Sequence, residues 1–287
     1  MISIIGLGST ASAVATKFEG IDNYQVFYLN DKIKKPDSTH FKIERYATPE
    51  EYEQNIPNVK KFFKPVTERV QFFITGASMS SNYCLGILEQ IKDKEVDVFY
   101  IKPDTELLTG VPKLMENMVF GVLQEYARSG LLRCVTIISN SNLENTLAEI
   151  PIKTYYDTLN NSIFSTVHYL NYFEFTDPEI GQVSKPSDIN RIRTIGMLNV
   201  KNLKEKWLFD LDMERDLCYY ICINENRLAT EGGLHRRIVD MLKKKPKNAF
   251  RKISYAIYET PLEDFGFCVA HTNAVQTQKT LDSFETE

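Results

Sequence analysis

The chain has 287 residues, 43% hydrophobic and 25% charged, enough to bury a core in one large or two closely packed domains. A formal net charge of −4 and a pI near 5.7 exclude the broad basic surface of a nucleic-acid or anionic-lipid binder; Lys243-Lys244-Lys245 and Lys32 to Lys35 read as solvated charge. No apolar run is long enough to span a membrane and Met1 to Gly6 lacks a basic signal region, while five scattered cysteines without a CxxC pair or His partner predict free thiols, no metal site and a cytoplasmic location.

Ile2 to Ile5 reads as a strand that ends in Gly6-Leu7-Gly8-Ser9-Thr10-Ala11, and Thr10 to Phe18 reads as the helix that follows. Tyr24 to Leu29 is a second strand, ending at Asn30-Asp31, so the chain opens as a βαβ unit with a parallel sheet. Residues 32 to 65 are polar and irregular, except for a short helix capped by Thr48 with Pro49 in its first turn. Val70 to Ile74 is an apolar strand followed by Thr75-Gly76-Ala77-Ser78-Met79-Ser80-Ser81-Asn82 and a helix from Ser81 to Ile91. This is a second strand–loop–helix unit.

Val96 to Ile101 is a strand ending in Lys102-Pro103, Leu114 to Ser129 an amphipathic helix stopped by Gly130, and Cys134 to Ile138 another strand. A short helix spans Asn142 to Ala148, and one long Tyr- and Phe-rich helix spans Thr154 to Phe175. Beyond Asp177-Pro178 the pattern changes. Ser187-Asp188 reads as the cap of a helix through Ile195; strands follow at 207–211, 217–223, 253–258 and 265–271, with one helix from Leu234 to Lys245. The expected organisation is a doubly wound α/β nucleotide-binding domain (1–153), a central helix (154–176), a smaller α+β domain (177–275) and a disordered tail (276–287).

Two glycine loops at the carboxyl ends of parallel strands suit phosphate, because strand ends and the loops that follow them present free N–H groups there. The order of these segments from residue 1 to about 273 resembles the tubulin/FtsZ family. That resemblance implies a GTP site, with magnesium, between the loops and head-to-tail self-association; the charge balance and the lack of a long apolar run give no nucleic-acid partner and no membrane segment. Gly6, Gly8 and Ser9 match the first loop, and Ser12 falls near the family's guanine-contacting Asn. Gly76 opens the signature loop, but the family's glycine run is replaced by a sequence in which only the Ser78, Ser80 and Ser81 hydroxyls remain as donors.

Lys113 stands where the family has a phosphate-facing Arg, and Asp157 matches an acid of the central helix. The guanine-reading position falls on Ile163, leaving Phe164 as a stacking candidate and Asn160 or Asn161 as an alternative register. In the loop that acts on the neighbouring subunit's nucleotide, Asp188 matches the second catalytic acid, whereas the first falls on Lys185 or Pro186. Weakened GTP binding, with hydrolysis slow or lost, is the resulting expectation, in a compact member encoded by a virus or plasmid. A nucleotide-free structural or regulatory subunit is the alternative. A third reading, an NAD(P)-dependent Rossmann oxidoreductase, takes Gly6, Gly8 and Asp31 as its dinucleotide site.

Overall fold

The computed structural model describes residues 1–147, 149–246 and 251–277. The chain opens with β1 (Ile2–Leu7), α1 (Ser9–Ala15) and β2 (Tyr24–Asn30). β1 is buried along its whole length, as a central parallel strand covered on both faces must be. It lies between β2 and β4 (Arg69–Thr75), both parallel to it. The polar 32–65 segment holds one strand that the sequence pattern does not reveal, β3 (His40–Lys42), paired parallel to β2. Three residues are too few to show a period. α2 (Pro49–Gln54) starts as expected, with a capping box in which Thr48 and Glu51 exchange side-chain and backbone hydrogen bonds.

β5 (Glu95–Lys102) and β6 (Cys134–Ser139) extend the parallel sheet. Between them runs α4 (Gly110–Ser129), ended by Gly130. The helix expected from Ser81 to Ile91 is broken up: only α3 (Cys84–Leu88) is α-helical, with a 3-10 turn on each side. Polar side chains at its start bond to nearby backbone, with Ser81 Oγ donating to Ser78 O (2.5 Å) and Asn82 Nδ2 to Met79 O (3.0 Å). Such local bonds compete with a regular first turn. α5 (Asn140–Thr146) leads to α6 (Tyr155–Glu174), the long central helix. One apolar layer joins α2, α3 and α4 to one face of the sheet, and a second joins α1, α5 and α6 to the other.

The second half contains β7 (Ile180–Gln182), β8 (Ile192–Asn199), β9 (Lys204–Trp207), β10 (Asp216–Asn224), α7 (Glu225–Thr230), α8 (Leu234–Lys243), β11 (Lys252–Thr260) and β12 (Phe265–Thr272). The helix expected from Ser187 to Ile195 does not form. Ile192 to Asn199 is instead a strand hydrogen-bonded on both sides, parallel to β6 and antiparallel to β12. Ile192, Thr194, Ile195 and Leu198 are buried by it, a burial that β-branched residues fit better on a pleated surface than on a helix. The strand expected at 207–211 lies earlier, as β9, in a hairpin with β8.

The two halves share one 12-stranded sheet, ordered β3-β2-β1-β4-β5-β6-β8-β12-β10-β11-β7 with β9 beside β8. α6 lies across the join: Leu159, Ile163, Val167 and Phe173 share one cluster with Ile4 and Phe73 from the first half and Cys222, Tyr258 and Phe267 from the second. α8 covers the opposite face of β10, β11 and β12. All five cysteines are buried and free of disulfide bonds. No helix among the described residues is long and apolar enough to cross a membrane. Gln276, expected to begin the disordered tail, is buried. Its N–H donates to Gln124 Oε1 (2.7 Å), and its Oε1 accepts from the Asp212 N–H (2.8 Å). Residues 278–287 of that expected tail lie outside the described residues.

At the join, His271 on β12 lies opposite Arg193 on β8. Burial, and then the charge of Arg193, push the His271 pKa down to about 3. The unfolded chain therefore takes up this proton near 6.5 while the folded chain holds His271 neutral until about 3. The stability is complete above 6.5 and is lost as pH falls through that window. The folded-state pKa of His168 is also lowered, by burial, and adds in the same direction. Asp97 departs only below its ordinary 3.8: burial raises its pKa, but the Arg133 hydrogen bonds and the charge of Arg193 outweigh that and lower it. Urea unfolding followed through Trp207 fluorescence is expected to lose ~1.4 kcal/mol per pH unit on acidification below the ordinary histidine value. His271→Gln should remove most of that slope.

Candidate functional site

The first loop is built from the β1–α1 turn. Gly8 sits at φ 85°, a left-handed conformation that a side chain disfavours, and its N–H bonds to Leu29 O (2.8 Å), which ties the loop to the end of β2. Gly6 lies against the backbone of Ala11 and Ser12. Ser9 is exposed and donates over a long 3.5 Å to Asn30 Oδ1. Asn30, rather than the adjacent Asp31, therefore reaches the loop. Ser12 is buried and its Oγ has no hydrogen-bond partner.

The second loop meets the first directly. A Cβ on Gly8 would lie 2.3 Å from Ser80 Oγ, so that hydroxyl fills the space over the first loop. Ser80 Oγ shares a hydrogen bond with Ser78 Oγ (2.8 Å), and the Ser81 N–H and hydroxyl both turn back to Ser78 O. The three serines that were candidate phosphate donors are thus bonded within their own loop. Ala77 holds φ 58°, so the backbone keeps a left-handed residue where the tubulin/FtsZ pattern has glycine. Gly76 is fixed by close approach, since a Cβ there would lie 2.2 Å from the Tyr100 hydroxyl. The two loops fit a nucleotide unequally: the first leaves backbone free of side chains, and the second closes over it.

Tyr100 belongs to a buried network that the sequence analysis did not single out. Its hydroxyl donates to Glu116 Oε1 (3.1 Å), and Lys102 Nζ donates to the same oxygen (2.6 Å) while lying 4.5 Å from the Phe120 ring. Glu116 is fully buried and its Oε2 has no partner. The network fixes the end of β5 and the start of α4 directly behind the second loop. A signal was available: Glu116 lies between Met115 and Val119 on the apolar face of an amphipathic helix, where an acid needs a partner.

The other candidates scatter. Lys113 is exposed on the first turn of α4. Asp157 is taken up by Lys17 (2.6 Å) and Asn161 (3.1 Å), with its pKa lowered first by the Lys17 hydrogen bond. Phe164 packs edge-on against Phe18 (4.8 Å) and stacks on His168 (5.5 Å), as core rather than as a platform for a base. Asp188 lies at the amino edge of the parallel strands, away from both loops, exposed and paired with Lys185 (3.1 Å). The loop that carries it leads into β8 without a helix.

No family model and no curated protein matches the chain. Solved structures do. A GTPγS-form protofilament of TubZ from Bacillus thuringiensis serovar israelensis superposes with a TM-score of 0.69 at 12% identity, covering 96% of this chain and 87% of that one. The chain has the tubulin/FtsZ fold. CetZ from Methanosaeta thermophila gives 0.66 at 11% identity over 95% and 86% of the two chains, and an empty FtsZ dimer from M. jannaschii gives 0.61 at 13% over 94% and 88%. TubZ-Bt is also represented by helical models of two-stranded and four-stranded filaments. In this version of the tubulin/FtsZ fold, a buried Tyr100–Lys102–Glu116 network lies behind the second loop. Glu116→Gln would leave Lys102 charged and unpaired, and is expected to destabilise the protein by about 3 kcal/mol in urea unfolding at neutral pH. A loss well under 1 kcal/mol would mean that water, not Glu116, satisfies Lys102.

Proposed function

We propose that this protein is a tubulin/FtsZ-like cytoskeletal subunit that assembles head-to-tail into filaments, binds GTP weakly and hydrolyses it slowly or not at all. The observation that carries the reading is the placement of exposed apolar side chains. At the carboxyl edge of the parallel strands, Leu107 (82% exposed), Val111 and Leu114 project beside the loops, with Ile152 and Tyr156 at the start of α6. At the amino edge, Tyr172, Phe175 (71% exposed), Ile180 and Ile189 project from the end of α6 and the segments after it. Large exposed apolar groups gathered at opposite ends mark interaction sites. Two different patches on one chain make a heterologous contact, which builds open filaments when its rotation does not close. The filament models of TubZ, which shares the fold, support the same arrangement.

Weak nucleotide binding follows from the unequal loops, with GTP and its magnesium held by the first and opposed by the second. Loss of hydrolysis follows from Asp188 standing alone: its loop lacks the supporting helix, and the position of the first acid falls on Lys185 or Pro186. The nucleotide-free alternative is favoured by Ser80 Oγ, which occupies the approach to Gly8. The NAD(P) reading accounts for neither the second loop nor the shared sheet.

Sedimentation and light scattering of micromolar protein with GTP, with GDP and without nucleotide test the assembly. Pelleted filaments are expected, and Leu107→Asp or Phe175→Asp should each abolish them while the circular dichroism spectrum stays native. A monomer under every condition would overturn the proposal. Phosphate release should stay near background and be unchanged by Asp188→Ala. Ser80→Gly, which clears the space above Gly8, should tighten GTP by about tenfold in calorimetric titration. No change from Ser80→Gly would favour the nucleotide-free reading.

A further inference from the structure

On the face of the second-half strands that α8 covers, a groove of about 300 Å³ lies between that helix and residues 200–201 at the β8–β9 turn. Leu234, Ile238 and Leu242 recur every fourth residue and pack α8 onto β10, β11 and β12, which gives the helix one apolar side and leaves its basic residues outside. Val200, Leu234, Ile238 and Met241 supply the apolar lining of the groove, and Lys201 and Lys244 stand at its rim. The other rim charges are already matched. Arg227 pairs with Glu231 and Asp264, Arg237 pairs with Glu231, and Asp240 lies near Lys243 (3.8 Å) and Arg236 (4.0 Å). Lys201 and Lys244 are exposed and form no ion pair among the described residues.

The same chain carries the complementary feature. A short turn joins β11 to β12, and Leu262 on it is 54% exposed. The turn is held in place: Asn224 Nδ2 donates to Leu262 O (3.0 Å), the Leu262 N–H donates to Thr260 Oγ1 (3.2 Å), and the Asn224 N–H donates to Asp264 Oδ1 (2.9 Å). Glu259 and Glu263 flank Leu262, both exposed and without an ion pair among the described residues. Leu262 does not line the groove of its own chain. An apolar side chain between two free carboxylates matches an apolar lining between two free ammonium groups. A side chain on a rigid turn loses little freedom on docking, and opposite charges select its partner and register. A bilayer finds no such match, because the apolar side of α8 is committed to the sheet.

We propose that this groove receives the β11–β12 turn of a second copy of this chain, with Leu262 against Val200, Ile238 and Met241 and with Glu259 and Glu263 beside Lys201 and Lys244. The contact joins chains through their second halves and does not depend on the head-to-tail contact. One turn in one groove is far smaller than a standard protein interface. It is therefore weak for a single pair and gains strength where chains present it repeatedly.

Cross-linking of the full chain tests it, in the Leu107→Asp background so that head-to-tail assembly plays no part. All five native cysteines are buried, so introduced surface thiols report the contact. With diamide as oxidant, a mixture of Leu262→Cys chains and Met241→Cys chains is expected to form a disulfide dimer at least about tenfold faster than either chain alone, because docking raises the effective concentration of the two thiols. Glu259→Lys with Glu263→Lys on the Leu262→Cys chain should slow the mixed cross-link about tenfold. Adding Lys201→Glu with Lys244→Glu to the Met241→Cys chain should then restore it. Equal rates in the mixture and in each chain alone, no cross-link at all, or charge reversal without rescue would each overturn the proposal. Val200→Cys supplies the groove thiol if Met241→Cys does not fold. Flotation with phosphatidylserine vesicles that is lost on Lys201→Glu with Lys244→Glu, while the mixed cross-link is absent, would assign the groove to a lipid surface and overturn the assignment to a second copy.

Discussion

The architecture depends on the short parallel pairing of β6 with β8, at Val135–Ile192, Thr136–Arg193 and Ile137–Thr194. A parallel ladder needs its strands aligned in direction and register, and here it also carries side-chain bonds: Arg193 Nε to Thr136 Oγ1 (2.7 Å) and Thr194 Oγ1 to Ile137 O (3.0 Å). With β12 on its other side, β8 is fully committed to the sheet. The segment between β7 and β8 therefore runs from Gln182 to Ile192 as loop alone. A helix there would have to take residues that β8 already uses. The sheet join and the absence of a helix between β7 and β8 have one physical cause.

The same constraint gives the two ends of the molecule different chemistry. At the carboxyl edge, β5 ends in a buried Lys102–Glu116 pair with the Tyr100 hydroxyl beneath the second loop. A buried pair of this kind tolerates little movement, because either charge left alone in the interior is costly. The second loop rests on that fixed base and satisfies its own hydroxyls, which is why Ser78, Ser80 and Ser81 face one another instead of an open site. At the amino edge, the join brings Arg193 into a group that already contains Arg69 and Arg133. There the guanidinium groups are gathered around the carboxylates of Asp97 and Glu174.

Much of the candidate site could be read from the chain as positions, but not as contacts. Gly8 at a left-handed turn and Gly76 under close approach both follow from a glycine after an apolar strand. Ser80 over Gly8 does not follow, since it depends on how two loops more than seventy residues apart meet across β1 and β4. Phe164 is a stacking candidate within a helix whose aromatic side chains read mostly as core, and the placement of Phe18 against α6 puts it in the core. Glu116 was legible in principle as an acid on an apolar helix face, whereas its partner Lys102 is paired only through the packing of α4 on the sheet.

The sequence by itself determined the local elements: the apolar run of β1, the capping box at Thr48, the glycine end of α4, and the length of α6 all rest on interactions within a few residues. It also determined the strand–helix alternation and hence the doubly wound sheet, because two faces of helices require continuously apolar parallel strands. The tertiary structure decided what local pattern leaves open. Residues 192–195 carry both a helix cap upstream and β-branched side chains within, and the ladders offered by β6 and β12 resolve that conflict in favour of strand. The union of the two halves in one sheet, the closure of Ser80 over Gly8 and the placement of Arg193 against Thr136 are decided in the same way. Each is a relation between segments distant in the chain, fixed by the hydrogen-bonding and burial demands of the whole sheet.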